Sequence, residues 1–291
     1  METKRFKPCE VATFQFFVSG FIKKETELNY IMADGRVIGI ISGKGGVGKT
    51  SLTVNMGIAL KQLGNEVTLV DADFSASNLG VYLGRYDHPV KIQKVLHNEA
   101  SVEQAIFRHP TGVKAITSSN EINQVEPDTS KLREILGKAS ETSDYVLVDC
   151  PPGLDRTVEN IIESCDELLI VTMPTQTSGI NAAQIIEKCK ELHKPILGTV
   201  MNMVENNPEK ELLEREVEMM TESHILGKIP YDPEMKESLF ENEPLVLYNE
   251  LSEASIEIQR LSANLDGKQF EEPKFAKLKR GLRNFKKNIS R

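Results

Sequence analysis

Gly43-Lys44-Gly45-Gly46-Val47-Gly48-Lys49-Thr50 is the stretch that decides how this chain is read. Gly43, Gly48, Lys49 and Thr50 fill the pattern G-x-x-x-x-G-K-[ST], and at typical glycine usage a chance match in a chain of this length is roughly a 1% event. The stretch follows an apolar run, Val37 to Ile41, and opens a helical pattern. That strand, loop and helix context is what a phosphate-binding loop requires. The glycines let the backbone curl and approach a ligand closely. Backbone N–H groups from Gly46 to Thr50 are then expected to cradle the β-phosphate of a bound ATP, with the helix N-terminus adding positive potential. Lys49 is expected to reach the β- and γ-phosphates, and the Thr50 hydroxyl to ligate Mg²⁺. Ser51 closes the same nucleotide-binding stretch.

Working outward, apolar runs bounded by turns lie at 37–41, 67–70, 145–148, 168–171 and 196–201. Such runs read as strands buried on both faces. Helical patterns fall between them, at 49–63, 130–141, 178–193, 208–222 and 250–263. The alternation predicts an α/β fold, a mostly parallel sheet with helices on both faces, over residues 36–263, and the phosphate loop makes the expected fold one of the P-loop NTPase type. Residues 264–273 (NLDGKQFEEP) are polar and end in proline, and read as a linker. Residues 1–35 do not fit the plan. Met32-Ala33-Asp34-Gly35 leads into the first strand as a chain start would. Residues 1–31 therefore read as a misassigned upstream start or a loosely attached extension, with an ordinary extra helix as the alternative.

A chain of 291 residues, 40% of them hydrophobic, fits one α/β domain with core enough to fold alone. Its cysteines, Cys9, Cys150, Cys165 and Cys189, include no C-x-x-C pair. That spacing suggests neither a zinc nor an iron–sulfur site, and scattered thiols fit a reducing cytosol. The apolar stretch from Phe14 to Ile22 is too short to span a membrane and lacks a small-residue cleavage site, so no signal peptide is expected. Charge is divided unevenly. Residues 274–291 hold eight Lys or Arg and no acid, which leaves a net charge of −16 on the rest of a chain whose total is −8. An acidic body with a basic tail suggests that the tail meets an anionic surface.

Lys44, a second lysine inside the loop, gives Lys-Gly-Gly-x-Gly-Lys-Thr. This resembles the deviant Walker A signature of the MinD/ParA ATPases. Asp71-Ala72-Asp73-Phe74-Ser75-Ala76-Ser77-Asn78-Leu79 resembles that family's switch I, D-x-D-x-x-x-x-N-L. Asp149-Cys150-Pro151-Pro152-Gly153 resembles its Walker B and switch II. The resemblance covers residues 36 to about 263, and within the family the pattern is most similar to the MinD type. It implies that ATP joins two subunits, with Lys44 reaching the partner's nucleotide phosphates. It implies that Asp73 orients or activates the attacking water near Mg²⁺, that Asp71 closes its strand, and that Asp149 holds Mg²⁺ through water. Gly153 would offer its N–H to the γ-phosphate. Asn202, in Met201-Asn202-Met203, would read the adenine edge. Pro230, in Ile229-Pro230-Tyr231-Asp232-Pro233, would belong to a loop lying over the base. Cys150 fills a variable position and is expected to be a small buried residue.

The tail carries its own signal. Phe275, Leu278, Leu282, Phe285 and Ile289 are spaced 3, 4, 3 and 4 and form one stripe of a helix, with Lys and Arg on the other faces. This is the composition of a helix lying in a membrane interface, and it resembles the membrane-targeting helix of MinD. The expected function is ATP hydrolysis with Mg²⁺ by a homodimer that binds an anionic membrane on its cytoplasmic face and is released on hydrolysis. It would position the division site or other polar structures, with a further protein triggering hydrolysis. A flagellum-placement ATPase of the same family is one alternative. A ParA-type partition ATPase is another, although DNA is not the expected surface. The missing C-x-x-C argues against an iron–sulfur carrier.

Overall fold

The computed structural model describes residues 35–85, 87–119 and 128–273. The expectations placed on residues 1–31 and on the basic tail therefore lie outside the described residues. The strands are β1 (Arg36–Ile41), β2 (Val67–Asp71), β3 (Phe107–Arg108), β4 (Lys114–Ile116), β5 (Tyr145–Asp149), β6 (Glu167–Thr172), β7 (Ile196–Val204) and β8 (Ile225–Pro230). They form one sheet in the order β3-β4-β2-β5-β1-β6-β7-β8. Every pairing is parallel except β3 with β4. The five apolar runs became β1, β2, β5, β6 and β7, and they occupy adjacent places in the sheet.

Two layers of helix cover the sheet, because its central strands are apolar on both sides. Along β1, Val37 and Ile41 join one core while Ile38 and Ile40 join the other. The first core is closed by α3 (Ile92–Leu96), α4 (Val102–Ala105), α5 (Leu132–Ser140), α6 (Arg156–Ser164) and α7 (Gln176–Glu191). The second is closed by α1 (Lys49–Gln62), α2 (Leu79–Tyr82), α10 (Leu245–Tyr248) and α11 (Glu253–Leu265). α8 (Glu214–Thr221) lies against α7, and α9 (Glu234–Phe240) against α10. α1 is buried along almost its whole length, from Lys49 through Leu60 with one break at Thr50. Fully burying a residue such as Leu52 or Ile58 is worth about 1.5–3 kcal/mol, so the helix carrying the phosphate loop is firmly held.

Several boundaries differ from the expected ones, each for a local reason. The pattern at 208–222 becomes a helix only from Glu214, because Asn207 turns the chain first: its carbonyl accepts from the Lys210 and Glu211 N–H groups at 3.0 and 2.9 Å. The helix expected at 178–193 begins at Gln176, where the Thr175 side chain caps the Ser178 N–H. α6 was not expected, yet Asp155 caps it and Val158, Ile161 and Ile162 bury one face. Residues 264–273, expected as a linker, stay on the body as far as Glu272. The helix runs to Leu265, Asp266 accepts from the Tyr145 hydroxyl at 3.0 Å, and Arg260 pairs with both the Phe270 ring and Glu272.

Candidate nucleotide site

In a parallel sheet, ligands are bound beyond the carboxyl ends of the strands. Here β1 ends on Ser42 and the phosphate loop, β2 ends on Asp71 and β5 on Asp149. Asp71 and Asp149 are register partners across β2 and β5. Strand pairing alone thus brings two carboxylates beside the loop.

The loop is shaped by Gly46 and Gly48, whose φ angles of 78° and 88° lie in the left-handed region that suits glycine. Gly48 immediately precedes α1, and its carbonyl accepts from the Leu52 N–H at 2.9 Å. Lys44, Gly45 and Gly46 are exposed at the crest of the loop, whereas Val47 is anchored in the core. Lys49 is 7% exposed, and its Nζ donates to the Ser42 hydroxyl at 3.1 Å. Ser42 in turn donates to the Lys44 carbonyl at 2.7 Å. Burial lowers the Lys49 pKa, and Asp149, Cys150 and Asp73 oppose that shift.

Thr50 Oγ donates to Asp149 Oδ2 at 2.6 Å. The other oxygen, Oδ1, is buried without a hydrogen-bond partner. Burial pushes the Asp149 carboxyl up to about 7 against the pull of Thr50 and Lys49. Asp71, fully buried, is pushed up to about 8 by burial and then by Asp149. The site thus holds a buried ammonium whose hydrogen bond is to a neutral hydroxyl and a buried carboxyl oxygen with no donor. Leaving such groups unsatisfied is costly. The donor set therefore fits a phosphate chain at Lys49 and a hard divalent cation at Thr50 and Asp149, because Mg²⁺ selects oxygen ligands.

The segment from Asp71 to Leu79 is organised by Asp71. Its Oδ1 accepts from the Asp73 N–H at 3.1 Å, and its Oδ2 accepts from the Ser77 hydroxyl at 2.6 Å and the Leu79 N–H at 3.3 Å. Asp73 is half-buried and folds the next turn, its Oδ1 accepting from Ser75 Oγ at 2.8 Å and the Ala76 N–H at 2.9 Å. Gly153, at φ 110°, donates its N–H to the Ser42 carbonyl at 3.3 Å.

Asn202 lies near the end of β7, 8% exposed, and its Nδ2 donates to the Val47 carbonyl at 2.8 Å. Its carboxamide thus reaches the phosphate loop itself. Pro230 is the last residue of β8, opposite Val204, and Ile229 is a core residue. The segment expected as a base-covering loop is therefore strand through Pro230 and loop only from Tyr231. Cys150, Cys165 and Cys189 are 0% exposed, as expected for Cys150. Phe275, Leu278, Leu282, Phe285 and Ile289 lie outside the described residues. Ser42 is the residue the motif reading missed. As a small residue just before the glycines it carries no signal of its own, and its links to Lys49, Lys44 and Gly153 exist only in three dimensions.

Comparison with known proteins follows the same lines. The family model described as ParA, NUBPL iron-transfer P-loop NTPase, matches residues 35–266. An ATP-binding protein of Methanocaldococcus jannaschii is 32% identical over 237 residues, which cover 80% of this chain and 89% of that protein. The crystal structure of the cell division ATPase MinD of Pyrococcus furiosus is 31% identical, with a TM-score of 0.76 over 80% of this chain and 99% of its own. The septum site-determining protein MinD of Pyrococcus horikoshii, complexed with Mg-ADP, is 29% identical, with a TM-score of 0.76 over 80% and 96%.

Proposed function

The chain belongs to the ParA family of P-loop NTPases, and from that premise we propose that it is a MinD-type ATP hydrolase whose nucleotide state decides where it sits. The observation that carries the reading is the orphaned Asp149 Oδ1 beside buried Lys49 and the Thr50 hydroxyl. The backbone from Gly43 to Ser51 and Lys49 bind the phosphates of ATP, and Thr50 and Asp149 hold Mg²⁺ with Asp73 near it. Mg²⁺, when bound, neutralises charge on the phosphate oxygens and orients them. Asp73 positions the attacking water and accepts its proton. Lys44, exposed at the crest of the loop, extends to the phosphates of a second subunit, so that ATP links a dimer.

The basic tail turns that dimer into a location. One amphipathic segment binds an anionic membrane weakly, and two held together gain about 10²–10⁴ in apparent affinity. Hydrolysis separates the subunits and releases them to the cytoplasm, and a further protein accelerates a turnover that the chain performs on its own. The acidic body and basic tail support this reading, as do the division-site relatives. Iron transfer, named in the family description, draws no support from Cys150, Cys165 and Cys189, whose burial keeps their thiols from solvent.

The test is phosphate release together with co-sedimentation on vesicles of phosphatidylglycerol and phosphatidylcholine, with and without ATP and Mg²⁺. The full chain should release phosphate and pellet with ATP, and the chain lacking residues 274–291 should release phosphate and stay in solution. Absence of phosphate release refutes the hydrolase reading. Equal pelleting with and without the tail refutes the membrane reading, and pelleting with DNA instead would assign the tail to a partition ATPase.

A further inference from the structure

The last glycine of the phosphate loop and the end of β7 are in closer contact than a motif would require. A methyl group on Gly48 would lie 2.3 Å from Asn202 Nδ2 and 3.5 Å from Met203 Cε. The Asn202 amide donates to the Val47 carbonyl at 2.8 Å, across 155 residues of sequence. The aim of that side chain comes from an irregularity in the sheet. The ladder between β7 and β8 slips between Met201 and Val204, and Met203 sits at φ 58°. Slips of this kind re-aim side chains, and a non-glycine residue in the left-handed region is held there only when its surroundings demand it.

We infer that Asn202 is a positioning residue for phosphate binding: it locks the Val47–Gly48 peptide in the orientation that presents the Gly48 N–H to the phosphates. The inference rests on the nucleotide-site reading above. A trans peptide carries its C=O and N–H on opposite sides, and the described chain has no cis bond. With the Val47 carbonyl held toward β7, the Gly48 N–H faces away from β7. A loop that binds anions through backbone N–H groups depends on each peptide keeping its orientation. Gly48, at φ 88° and without a side chain, is free to flip, and the bond from Asn202 to the Val47 carbonyl opposes that flip. Because the contact is to backbone, its effect on ligand is blind to the base. This separates it from the adenine-reading role expected for Asn202.

The experiment measures binding of Mg-pyrophosphate and of Mg-ADP to the full chain by titration calorimetry, in the unaltered protein and in Asn202→Ala and Asn202→Asp. The aspartate keeps the shape, replaces the donor with an acceptor, and serves where the alanine variant loses its fold. Unliganded melting temperatures establish that each variant is folded. Loss of one such hydrogen bond corresponds to about tenfold in affinity. Both variants should bind pyrophosphate and ADP about tenfold more weakly, by the same factor for each. A loss confined to ADP, or no loss in either ligand, overturns the positioning role. No binding of either ligand to the unaltered chain overturns the nucleotide reading, and this inference with it.

Discussion

The inner and outer halves of the sheet are built differently. β1, β2 and β5 pair without a slip, and β2 and β5 are buried at every residue. From β6 outward the ladder slips at Leu168/Leu169, at Thr199/Val200 and between Met201 and Val204, with Gly198 at φ 150° and Met203 at φ 58°. β8, at the edge, buries only Ile229. The regular half carries the charged groups at its strand ends, Asp71, Asp149 and the loop bearing Lys49, where uniform register sets their spacing. The irregular half supplies aim, as the slip at Asn202 illustrates. Chemistry that needs carboxylates at fixed separation is placed on uniform strands, and adjustment is left to strands whose pairing tolerates it.

That contrast can be broken from its strong side first. Lys49→Ala removes the buried charge facing the phosphates and should abolish nucleotide binding in a chain that still folds. ATP binding retained within tenfold of the unaltered protein, measured by calorimetry, would end the phosphate-contact role. Asp73→Ala should bind ATP with little change and hydrolyse it about 10²–10⁴ times more slowly, the usual worth of a positioned acid or base. Normal turnover in a phosphate-release assay would move the water-activating role to another residue. Lys44→Ala should keep ATP binding, because Lys44 lies at the exposed crest and makes its described hydrogen bond through its backbone carbonyl. It should nevertheless fail to dimerise on ATP. A dimer of normal stability, seen by light scattering, refutes the contact across subunits.

Changes near the edge should be gentler. Glu222 caps the C-terminus of α8 at φ 50°, a conformation that glycine adopts at less cost. Its ion pair with Lys190 at 2.9 Å is exposed, and exposed pairs contribute little. Glu222→Gly should therefore raise stability slightly, once relief of left-handed strain is set against glycine's entropy. A lower urea midpoint would show that the ion pair outweighs the strain.

The same division explains what the sequence made legible. The phosphate loop was readable because its glycines, Lys49 and Thr50 fall within eight contiguous residues and fill a narrow pattern. Asp73 and Asp149 followed because they sit at or just past the ends of apolar strands. β8 was missed because Gly227 and Pro230 interrupt a short run with one buried residue, a pattern that reads as loop. β3 and β4 are two and three residues long, too short to show alternation. α6 was detectable in principle: Asp155 as cap with Val158, Ile161 and Ile162 behind it is a helix-start pattern. The aim of Asn202 was not legible, since it depends on a slip between β7 and β8. Ser42 was not legible because its partners, Lys49 Nζ and the backbone of Lys44 and Gly153, are assembled by the fold.

Where the loop begins, backbone rests on backbone. A methyl group at Gly43 would fall 2.3 Å from the Asn181 carbonyl oxygen of α7. In a contact of this kind there is no side chain whose rotamer could absorb a displacement. Opening fluctuations of the first turns of α7 and of the loop should therefore be shared events. Tightening one by a ligand should slow solvent access to the other, although α7 is given no contact with nucleotide. Hydrogen exchange of residues 176–182 should slow when ATP and Mg²⁺ are added, and unchanged exchange there would show that the two backbones breathe independently.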